Sequence, residues 1–557
     1  ILIAFTVTSE ENDLLINLCA GLFILPFFLF SATAGQIAEK FEKSRLMRTI
    51  KLCEIGIMIA GAIAFYIGNV TALMVILFLM GTQSTFFGPV KFSILPQHLK
   101  KDELIGGNGL VEMGTFVAIL LGTMFGGLLI AVEDTGPLLI GIAIIVFAIA
   151  GWAASRFIPK APANDPTLKI NWNLFSETIK ILKIAHEEKS VFQSVLGISW
   201  FWMLGAVYLT QFPNYAKTVL GGNEQVVTLL LVTFSVGVGI GSLLCEKLSG
   251  RLVELGLVPF GSIGLSLFGF DLFFASGEFA GGPLIGAAGF MSESENWRVI
   301  IDLLMIGVFG GFYIVPLYAI VQSRSKPKHR SRVIAANNIL NALFMVAAAG
   351  LAIGLLAMGL TIPQLFLVMA ALNVLTAIYI YTLVPEFLMR FLVWIMISVM
   401  YRIKLKDLDH IPEEGGALLV CNHVSYVDAM VIAGSIRRPV RFVMDHNIFK
   451  IPVFGFIFRT AGAISIAPRK VNEATYEAAF KKISEYLHDG EIVCIFPEGM
   501  LTRDGEMTAF RPGVERILEE TPVPVIPMSL SGLWGSMFSR FGGRAINTLP
   551  RIRAKIS

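Results

Sequence analysis

A histidine and an aspartate stand five positions apart in the stretch LLVCNHVSYVDAM, residues 418–430. His423 directly follows a short apolar run, and Asp428 lies in the first turns of a segment with helical potential. At this spacing the carboxylate can reach back to one imidazole nitrogen, which fixes the tautomer and makes the other nitrogen more basic. The pair therefore predicts a general base that removes a proton from a hydroxyl. A surface histidine beside a helix cap is the structural alternative.

A second cluster of chemically capable residues follows about 75 positions later. The stretch FPEGMLTRDGE, residues 496–506, places Glu498, Gly499 and Arg503 at the exit of an apolar run. A glycine turn beside an arginine can hold a phosphate through charge-assisted hydrogen bonds. The sequence contains neither a G-x-S-x-G elbow nor a P-loop, which disfavours a covalent serine mechanism and ATP hydrolysis. A basic stretch at 449–470 surrounds another apolar segment with Arg459, Arg469 and Lys470.

The elements that must position these residues are short apolar runs separated by helical segments. Such an alternation after residue 402 is typical of an α/β domain. We expect a helix at 472–488. The predicted buried strands are ALLVC (417–421), RFVMD (441–445), ISIA (464–467), EIVCIFP (491–497) and VPVIPMSL (523–530).

The rest of the chain has the composition of a membrane protein. Of its 557 residues, 55% are hydrophobic and only 15% are charged, against about 25% charged in soluble domains. The net charge of +3 gives no reason to expect a nucleic-acid partner. The five cysteines are scattered without disulfide or metal-ligand spacing, so we interpret them as buried thiols and expect no metal site.

Apolar stretches of about twenty residues, the length that crosses a bilayer, follow one another from residue 14 to residue 383. We interpret ILIAFTVT at the start as the tail of a truncated first helix, which gives about twelve spans in all. The eleven complete spans are expected near 14–34, 48–68, 71–90, 107–131, 136–156, 192–213, 225–247, 256–276, 299–321, 334–359 and 362–383.

The loops between these spans alternate in charge. Basic loops such as RSKPKHRSR, residues 324–332, alternate with acidic or neutral ones such as SESEN, residues 292–296. Basic loops face the cytoplasm, so the C-terminus is expected inside. A polar connector at 157–191 separates two sets of spans, and the helix end at 35–45 is echoed at 241–251. This plan indicates a transporter built from two similar halves.

Polar residues within the apolar spans are candidates for a transport site, because an ionisable group inside a membrane is expensive unless it serves a function. Snorkelling is the alternative for those near span ends. The candidates are Gln83, Lys91, Asn108, Glu112, Asp271, Asp302, Asn338 and Asn341.

Two stretches in the first half carry a family resemblance. GTQSTFFGPVKFSILPQHL (81–99) and GGNGLVEMGTF (106–116) resemble the lysophospholipid transporter branch of the major facilitator superfamily. The resemblance covers most of residues 1–383 and implies an all-α bundle of about 12 transmembrane helices, the first truncated. Its two halves would be 1–156 and 192–384, joined by the connector 157–191.

Residues 402–557 resemble the glycerolipid acyltransferase family, whose four sequence blocks occur here in the same order: H-x4-D, a block with G-x-I and a basic residue, F-P-E-G, and V-P-hydrophobic-x-P. The resemblance implies that His423 is the catalytic base and that Asp428 orients it. It departs at Met500 and Leu501, which precede Thr502, and at an added Ala-Pro before the basic residue of the second block. At both departures the sequence resembles the branch of the family that acylates lysophospholipids with a phosphoethanolamine head group. The substrate-binding residues implied are Asn422, Arg469, Glu498, Gly499, Thr502 and Arg503.

Together the resemblances predict a fusion like the bacterial bifunctional 2-acylglycerophosphoethanolamine acyltransferases, with a membrane or interfacial linker helix at 385–401. We expect it to carry lysophosphatidylethanolamine across the bacterial inner membrane and to reacylate it in the cytoplasm. The co-substrate would be an acyl thioester of acyl carrier protein or coenzyme A, with no bound cofactor, and the partners would be membrane phospholipids and lysophospholipids. Two alternatives stay open: a lysophosphatidic acid acyltransferase fused to a transporter of another solute, and a lipid transporter with a non-catalytic lipid-binding domain.

Overall fold

The structure is a computed structural model. It describes residues 9–130, 132, 135–248, 257–277, 281–383, 392–393, 395–397, 399–412, 415–436, 438–540 and 552–556. The chain forms two compact units, Ile1–Ala377 and Ile378–Ser557. The predicted helix tail at 1–8, the basic loop residue Arg251 and the first half of the predicted linker helix lie outside the described residues. The described part of that linker, between 392 and 400, is helical.

The first unit is a bundle of long apolar helices. In the described residues eleven helices are long and apolar enough to cross a membrane, which confirms the eleven complete spans. Most extend beyond the predicted spans, because a helix continues with polar turns past the hydrocarbon core that sets the apolar length. The helices of this unit are α1 Ser9–Lys40, α2 Lys43–Ile67, α3 Val70–His98, α4 Leu104–Ile130, α5 Gly136–Ser155, α6 Leu174–Glu187, α7 Lys189–Thr218, α8 Glu224–Leu248, α9 Leu257–Ala275, α10 Ala287–Ser292, α11 Asn296–Arg324, α12 Arg330–Ala357 and α13 Ile362–Leu383.

Local capping explains why α1, α2 and α3 follow one another with such short connections. The Glu42 carboxylate accepts hydrogen bonds from the N–H groups of Ser44 and Arg45 at the start of α2, and Gly68 ends that helix in the left-handed conformation, with φ of 68°. Asn69 then caps α3. Burial acts to raise the pKa of Glu42, but hydrogen bonds from the Ala161 N–H and from the helix start outweigh it and lower the pKa to about 2.

The two halves of the bundle meet closely at the end where α1 finishes and α12 begins. A Cβ atom added at Gly35 would lie 2.7 Å from Cβ of Ala335, and one added at Gly109 would lie 2.5 Å from the carbonyl oxygen of Ser242. Any larger side chain would push α1 from α12, or α4 from α8. Helix parity puts both contacts at the same end of the bundle, which we call the connector end.

The connector ties this end together through Asn164. Its side-chain amide donates to Oε1 of Glu39 (3.1 Å) and to the carbonyl oxygen of Pro327 (2.7 Å). Its oxygen accepts from Nζ of Lys43 (3.1 Å). Oε2 of Glu39 accepts in turn from the backbone N–H of Ser331 (3.1 Å). One asparagine of the connector thus bonds to both halves of the bundle.

The second unit contains the predicted strands. Five of them form a parallel sheet in the order β4-β3-β5-β2-β6, and a smaller sheet has the order β1-β8-β7. The strands are β1 Tyr401–Leu405, β2 Ala417–Cys421, β3 Val440–Asp445, β4 Ile464–Ile466, β5 Ile492–Ile495, β6 Val525–Met528, β7 Leu530–Ser531 and β8 Ile552–Ile556. The helices are α14 Asp428–Ser435, α15 Pro452–Thr460, α16 Glu473–His488 and α17 Gly513–Glu520.

The central strands of the parallel sheet are apolar on both faces because helices cover both. Leu418 points to one core with Phe480 of α16, while Leu419 points to the other core with Val431 of α14. Successive strand residues face opposite sides of a sheet, and parallel sheets are covered on both. This explains why β2 and β5 are uninterrupted apolar runs. Their carboxyl ends lie side by side, where α/β folds place ligands.

Candidate functional site

His423 and Asp428 lie at the carboxyl end of β2, in the turn that leads into α14. Nδ1 of the imidazole lies 2.9 Å from Oδ2 of Asp428. The same oxygen accepts the backbone N–H groups of Val424 at 2.7 Å and Ser425 at 2.9 Å. Asp428 is the first residue of α14, and its carboxylate points back over the N-terminus of that helix. It therefore fixes both the imidazole ring and the turn that carries His423.

The environment of the pair separates the roles of its two members. The Asp428 side chain is fully buried, whereas 23% of the His423 side chain is exposed. Burial raises the pKa of Asp428, and the hydrogen bonds from His423, Ser425 and Val424 oppose that rise. Three N–H donors on one oxygen favour a carboxylate. With Nδ1 engaged, Nε2 is the imidazole nitrogen left to take a proton.

Phe496 orients the imidazole from its face. The two rings are stacked with centroids 4.2 Å apart and an interplanar angle of 18°. Phe496 follows β5, the strand adjacent to β2. Phe496 was not among the candidates expected from the sequence, although it opens the F-P-E-G block. Neighbouring strand ends explain how two residues so distant in sequence come to stack.

Glu498 holds the two sequence blocks together. Its Oε1 accepts the backbone N–H of His423 at 2.9 Å, and its Oε2 accepts the N–H and hydroxyl of Thr508 at 2.9 and 3.0 Å. The side chain is buried. Both oxygens are thus engaged within the protein, and Glu498 shapes the site from behind rather than presenting a free carboxylate to a ligand.

Gly499 forms a tight turn that only glycine fits. Its φ is 67°, in the left-handed region, and a Cβ atom there would lie 2.7 Å from Nε of Arg511. The backbone N–H of Arg511 donates to the carbonyl oxygen of Pro497 at 2.9 Å. This places a second arginine beside the turn. Arg511 was not among the candidates expected from the sequence, because only the folded loop brings it back to the F-P-E-G block.

The remaining predicted residues of this block serve the loop or face solvent. The backbone N–H of Thr502 donates to the carbonyl oxygen of His423 at 3.0 Å. The Thr502 hydroxyl donates to the carbonyl oxygen of Glu506 at 2.7 Å, and Arg503 is exposed.

The amide of Asn422 exchanges two hydrogen bonds, of 2.9 and 2.7 Å, with the backbone of Leu530. Asn422 therefore joins β2 to β7 rather than facing a substrate.

Arg469 is not brought to this cluster. It lies after β4, the edge strand, three strand positions from β2, which corresponds to roughly 14 Å across the sheet. Its guanidinium is exposed and pairs with Glu473 at 2.7 Å.

The cysteines near the site lack the character of nucleophiles. Burial raises the pKa of the Cys421 thiol to about 12 and raises that of Cys494 well above its ordinary value. Because the thiolate is the reactive form, neither residue is suited to attack an acyl group. Among the described residues, no group of three or more His, Cys, Asp or Glu side chains could hold a metal ion.

In the first unit, two of the transport candidates, Lys91 and Glu112, form a polar centre. Glu112 is buried, and its Oε2 has no hydrogen-bond partner in the described structure. It interacts electrostatically with Lys91, whose ammonium lies 4.5 Å from the ring centroid of Phe92. That ring stacks at 4.4 Å on Tyr318 of α11. The structure therefore places opposite charges beside aromatic rings from both halves.

The other transport candidates have different surroundings. Asn108 is buried and exchanges hydrogen bonds of 2.7 and 2.9 Å with Gln322, across the two halves. Gln83 donates to Glu54 at 2.7 Å. Asn341 accepts from the Ser199 hydroxyl at 2.8 Å. The Nδ2 atom of Asn338 lies 2.8 Å from the position of a Cβ atom added at Gly88, so Asn338 packs against α3.

Asp271 and Asp302 form a separate group with Arg298, toward the end of the bundle opposite the connector. Asp271 pairs with the Arg298 guanidinium at 2.5 Å and is partly exposed. Asp302 is buried, and its Oδ2 has no hydrogen-bond partner in the described structure.

Comparison with known families assigns each unit. Residues 402–531 match the family model described as Acyltransferase. Residues 2–291 match the model described as Major Facilitator Superfamily.

Curated relatives match the first unit as well. The lysophospholipid transporter LplT of Enterobacter sp. (strain 638) is 28% identical over 310 residues, which cover 55% of this chain and 70% of the relative. The protein of the same name from Escherichia fergusonii is 29% identical over 313 residues, with the same coverage of the two chains.

The fold of the first unit recurs among solved structures. That of a Major Facilitator Superfamily transporter, FucP, in the outward conformation superimposes with a TM-score of 0.53 and 12% sequence identity. The match covers 68% of this chain and 91% of that one.

Proposed function

The chain belongs to the Major Facilitator Superfamily and carries an acyltransferase domain after its transporter helices, and on this premise we propose that it moves a lysophospholipid across a membrane and reacylates it. It is a multi-pass membrane protein and an acyltransferase. We propose lysophosphatidylethanolamine as the substrate, the bacterial inner membrane as the location, and the cytoplasm as the side on which the acyltransferase domain works. The basic loops of one parity support that orientation.

The observation that carries the catalytic part of the proposal is the bond of 2.9 Å between Nδ1 of His423 and the buried Asp428. Nε2 of His423 removes the proton from the free glycerol hydroxyl, and the oxygen attacks the carbonyl carbon of an acyl thioester. The carbon–sulfur bond then breaks, and the thiolate leaves with the proton that His423 had taken. No acyl-enzyme forms in this scheme. The thioester belongs to acyl carrier protein or coenzyme A.

The phosphodiester of the substrate needs cations near His423. We assign this binding to Arg503 and Arg511, which belong to the loop that Gly499 opens. Both are exposed, and Arg511 is the one that lies against the Gly499 turn. An arginine can hold a phosphate through two parallel hydrogen bonds. Arg469 remains outside this assignment, because its strand lies at the sheet edge.

The polar centre of the first unit supports a zwitterionic substrate. Lys91 carries a positive charge and Glu112 can carry a negative one, and the two interact within an apolar bundle. A phosphoethanolamine head group has a phosphate for the lysine and an ammonium for the glutamate. Because each charge is costly without a partner in a membrane, a substrate that satisfies both is favoured over an anion or a cation. The lysophospholipid transporters similar to this chain support the same substrate class.

Reconstitution of the full chain in liposomes tests the proposal. Labelled lysophosphatidylethanolamine is confined to the leaflet away from the acyltransferase domain, and acyl-carrier thioester is supplied on the domain's side. We expect labelled diacyl lipid from the native chain and crossing without acylation in His423→Ala. Glu112→Gln should reduce crossing but still acylate lipid supplied on the domain's side. If label never crosses although lipid on the near side is acylated, the transporter serves another solute. If His423→Ala still acylates, the catalytic assignment fails.

A further inference from the structure

Helix α15 of the acyltransferase domain has apolar residues on more than one side. Phe456 is 67% exposed, and Ile451, immediately before the helix, is 48% exposed. Ile457 and Phe458 line an apolar cavity of about 300 Å³, together with Met430 of α14. A short helix that is apolar on its inner and outer sides is not explained by packing onto its own domain alone.

The charge around this helix has one sign. From residue 446 to residue 472 the chain contains four Lys and Arg residues and no Asp or Glu. Two of these cations are exposed: Lys450 precedes the helix, and Arg459 lies in its last turn. Arg459 donates to the carbonyl oxygen of Phe449 at 3.0 Å, which holds its charge at the edge of the exposed apolar surface. Aromatic and aliphatic side chains bordered by basic ones are typical of helices that lie in a membrane interface.

We propose that α15 is a second membrane contact of the acyltransferase domain, with Phe456 and Ile451 among the acyl chains and Lys450 and Arg459 at the phosphates of anionic phospholipids. Moving the exposed Phe456 and Ile451 side chains from water to the acyl chains is favourable, because it removes apolar surface from water. Basic residues near an anionic lipid surface are attracted to it and strengthen the contact. The contact would set the apolar cavity behind α15 at the lipid surface, from which an acyl chain can enter without crossing water.

An acidic carrier protein is the other partner that a basic surface could attract. The apolar exposure favours the bilayer, because the Phe456 side chain, 67% exposed, has no group that could pair with acidic side chains. The two partners also predict different behaviour: insertion into lipid needs only a vesicle, whereas docking of a protein needs that protein.

Spin-label accessibility in the full chain tests the proposal. Cys19 and Cys53 are replaced by Ser, and the other three cysteines are buried. A label is placed by Phe456→Cys, by Ile451→Cys or, as control, by Lys481→Cys on the exposed side of α16. In vesicles of phosphatidylethanolamine and phosphatidylglycerol, we expect the ratio of oxygen to nickel-complex accessibility to be several-fold higher at 456 and 451 than at 481. In each labelled background, Lys450→Gln with Arg459→Gln should lower that ratio toward the control.

Equal ratios at the three positions would overturn the proposal, as would protection of 456 that appears only when acyl carrier protein is added. Phe456 and Ile451 are both exposed, so neither substitution removes a buried side chain. If one of the two labelled variants fails to fold, the other still tests the proposal. The readout is depth rather than acylation. His423→Ala should therefore leave it unchanged, and failure of the proposed reaction would be distinguishable from failure of this contact.

Discussion

The Glu498 carboxylate accepts the backbone N–H of His423 at 2.9 Å, although 75 residues separate them along the chain. The two residues follow β2 and β5, which are neighbours in the parallel sheet. The F-P-E-G block therefore does part of its work without touching a substrate: it fixes the position of the histidine. The second carboxylate oxygen of Glu498 accepts the backbone N–H of Thr508 and so holds the loop that carries Arg503 and Arg511.

Replacing Glu498 by Gln should weaken the site. The two carboxylate oxygens of Glu498 each accept one backbone N–H, from His423 and from Thr508, whereas a glutamine amide has only one oxygen. One of these donors would face an NH2 group. Loss of a hydrogen bond to a charged group costs about 1.5–3 kcal/mol, and we expect a destabilised domain with kcat lowered about tenfold or more. Thermal unfolding and acyl transfer measure the two effects. Glu506→Gln, exposed in the same loop, is the matched control, and equal behaviour of the two variants would contradict the bridging role.

Asp428→Asn should lower kcat by about 10²–10⁴-fold, the usual contribution of an acid–base group, with little change in KM. The amide can hold the ring in the wrong tautomer, and it no longer stabilises the imidazolium that forms when His423 takes a proton. Asp445→Asn is the control, since Asp445 also lies beside a histidine, at 3.6 Å from His446, but is exposed. A fall in KM alone, or no fall in kcat, would remove Asp428 from the mechanism.

The fold and part of the site follow from local patterns. Apolar runs of the right length predicted the eleven membrane helices and the five strands of the parallel sheet, but not β1 and β8 of the smaller sheet. H-x4-D predicted the contact of His423 with Asp428, because a five-residue offset at a strand–helix turn leaves little choice. Contacts that depend on the order of the strands in the sheet could not be predicted from local patterns. Phe496 and Arg511 reach the site only because β5 adjoins β2 and the loop folds back.

The same limit explains the assignments that the structure changes. Asn422 precedes the histidine and was expected to bind substrate, but its amide is used by the backbone of Leu530, 108 residues away. Asn164 was not singled out, because it is an ordinary polar residue until the bundle closes around it. Polarity in a sequence marks a residue that needs a partner, and only the tertiary fold determines whether that partner is a substrate or the protein itself.

Removing the Phe496 ring should lower the rate modestly. Aromatic stacking contributes about 0.5–1.5 kcal/mol beyond burial, so Phe496→Ala should reduce kcat about two- to tenfold through a less well-oriented imidazole. Phe510→Ala is the control, because Phe510 lies in the neighbouring loop and is 57% exposed. Phe496→Tyr should keep most of the rate, since its ring can still stack. Equal rates for native and Phe496→Ala protein would show that the stack does not orient the base.

The charges of the polar centre should set head-group selectivity. Glu112→Gln removes the partner for the ammonium and should reduce transport of lysophosphatidylethanolamine more than that of lysophosphatidylglycerol, which has no ammonium. Lys91→Gln should impair both, because both lipids carry the phosphate. Transport in liposomes with each labelled lipid gives the two ratios. Asp271→Asn serves as the control, since Asp271 pairs with Arg298 in a separate group. An unchanged ratio in Glu112→Gln would contradict the proposed head-group contact.

Asn164 should control how readily the connector end of the bundle opens. Asn164→Leu removes the bonds to Glu39, Lys43 and the Pro327 carbonyl oxygen, and it leaves polar groups in the interface without partners, each at a cost of about 1–3 kcal/mol. The bond to Pro327 joins the connector to the second half and exists only while the two halves are closed at that end, so its loss destabilises the closed state and raises the population of the open one.

A cysteine in place of the buried Ser331 reports the change, because alkylation by a water-soluble maleimide requires that end to open. In nanodiscs, where both sides are accessible, we expect alkylation to be several-fold faster with Asn164→Leu than without it. Thr167→Ala, which removes only a local bond to Asp165 within the connector, should leave the rate near that of the native chain. If Asn164→Leu does not change the rate, the closed end is held by the packing of Gly35 and Gly109, and the connector hydrogen bonds are incidental to it.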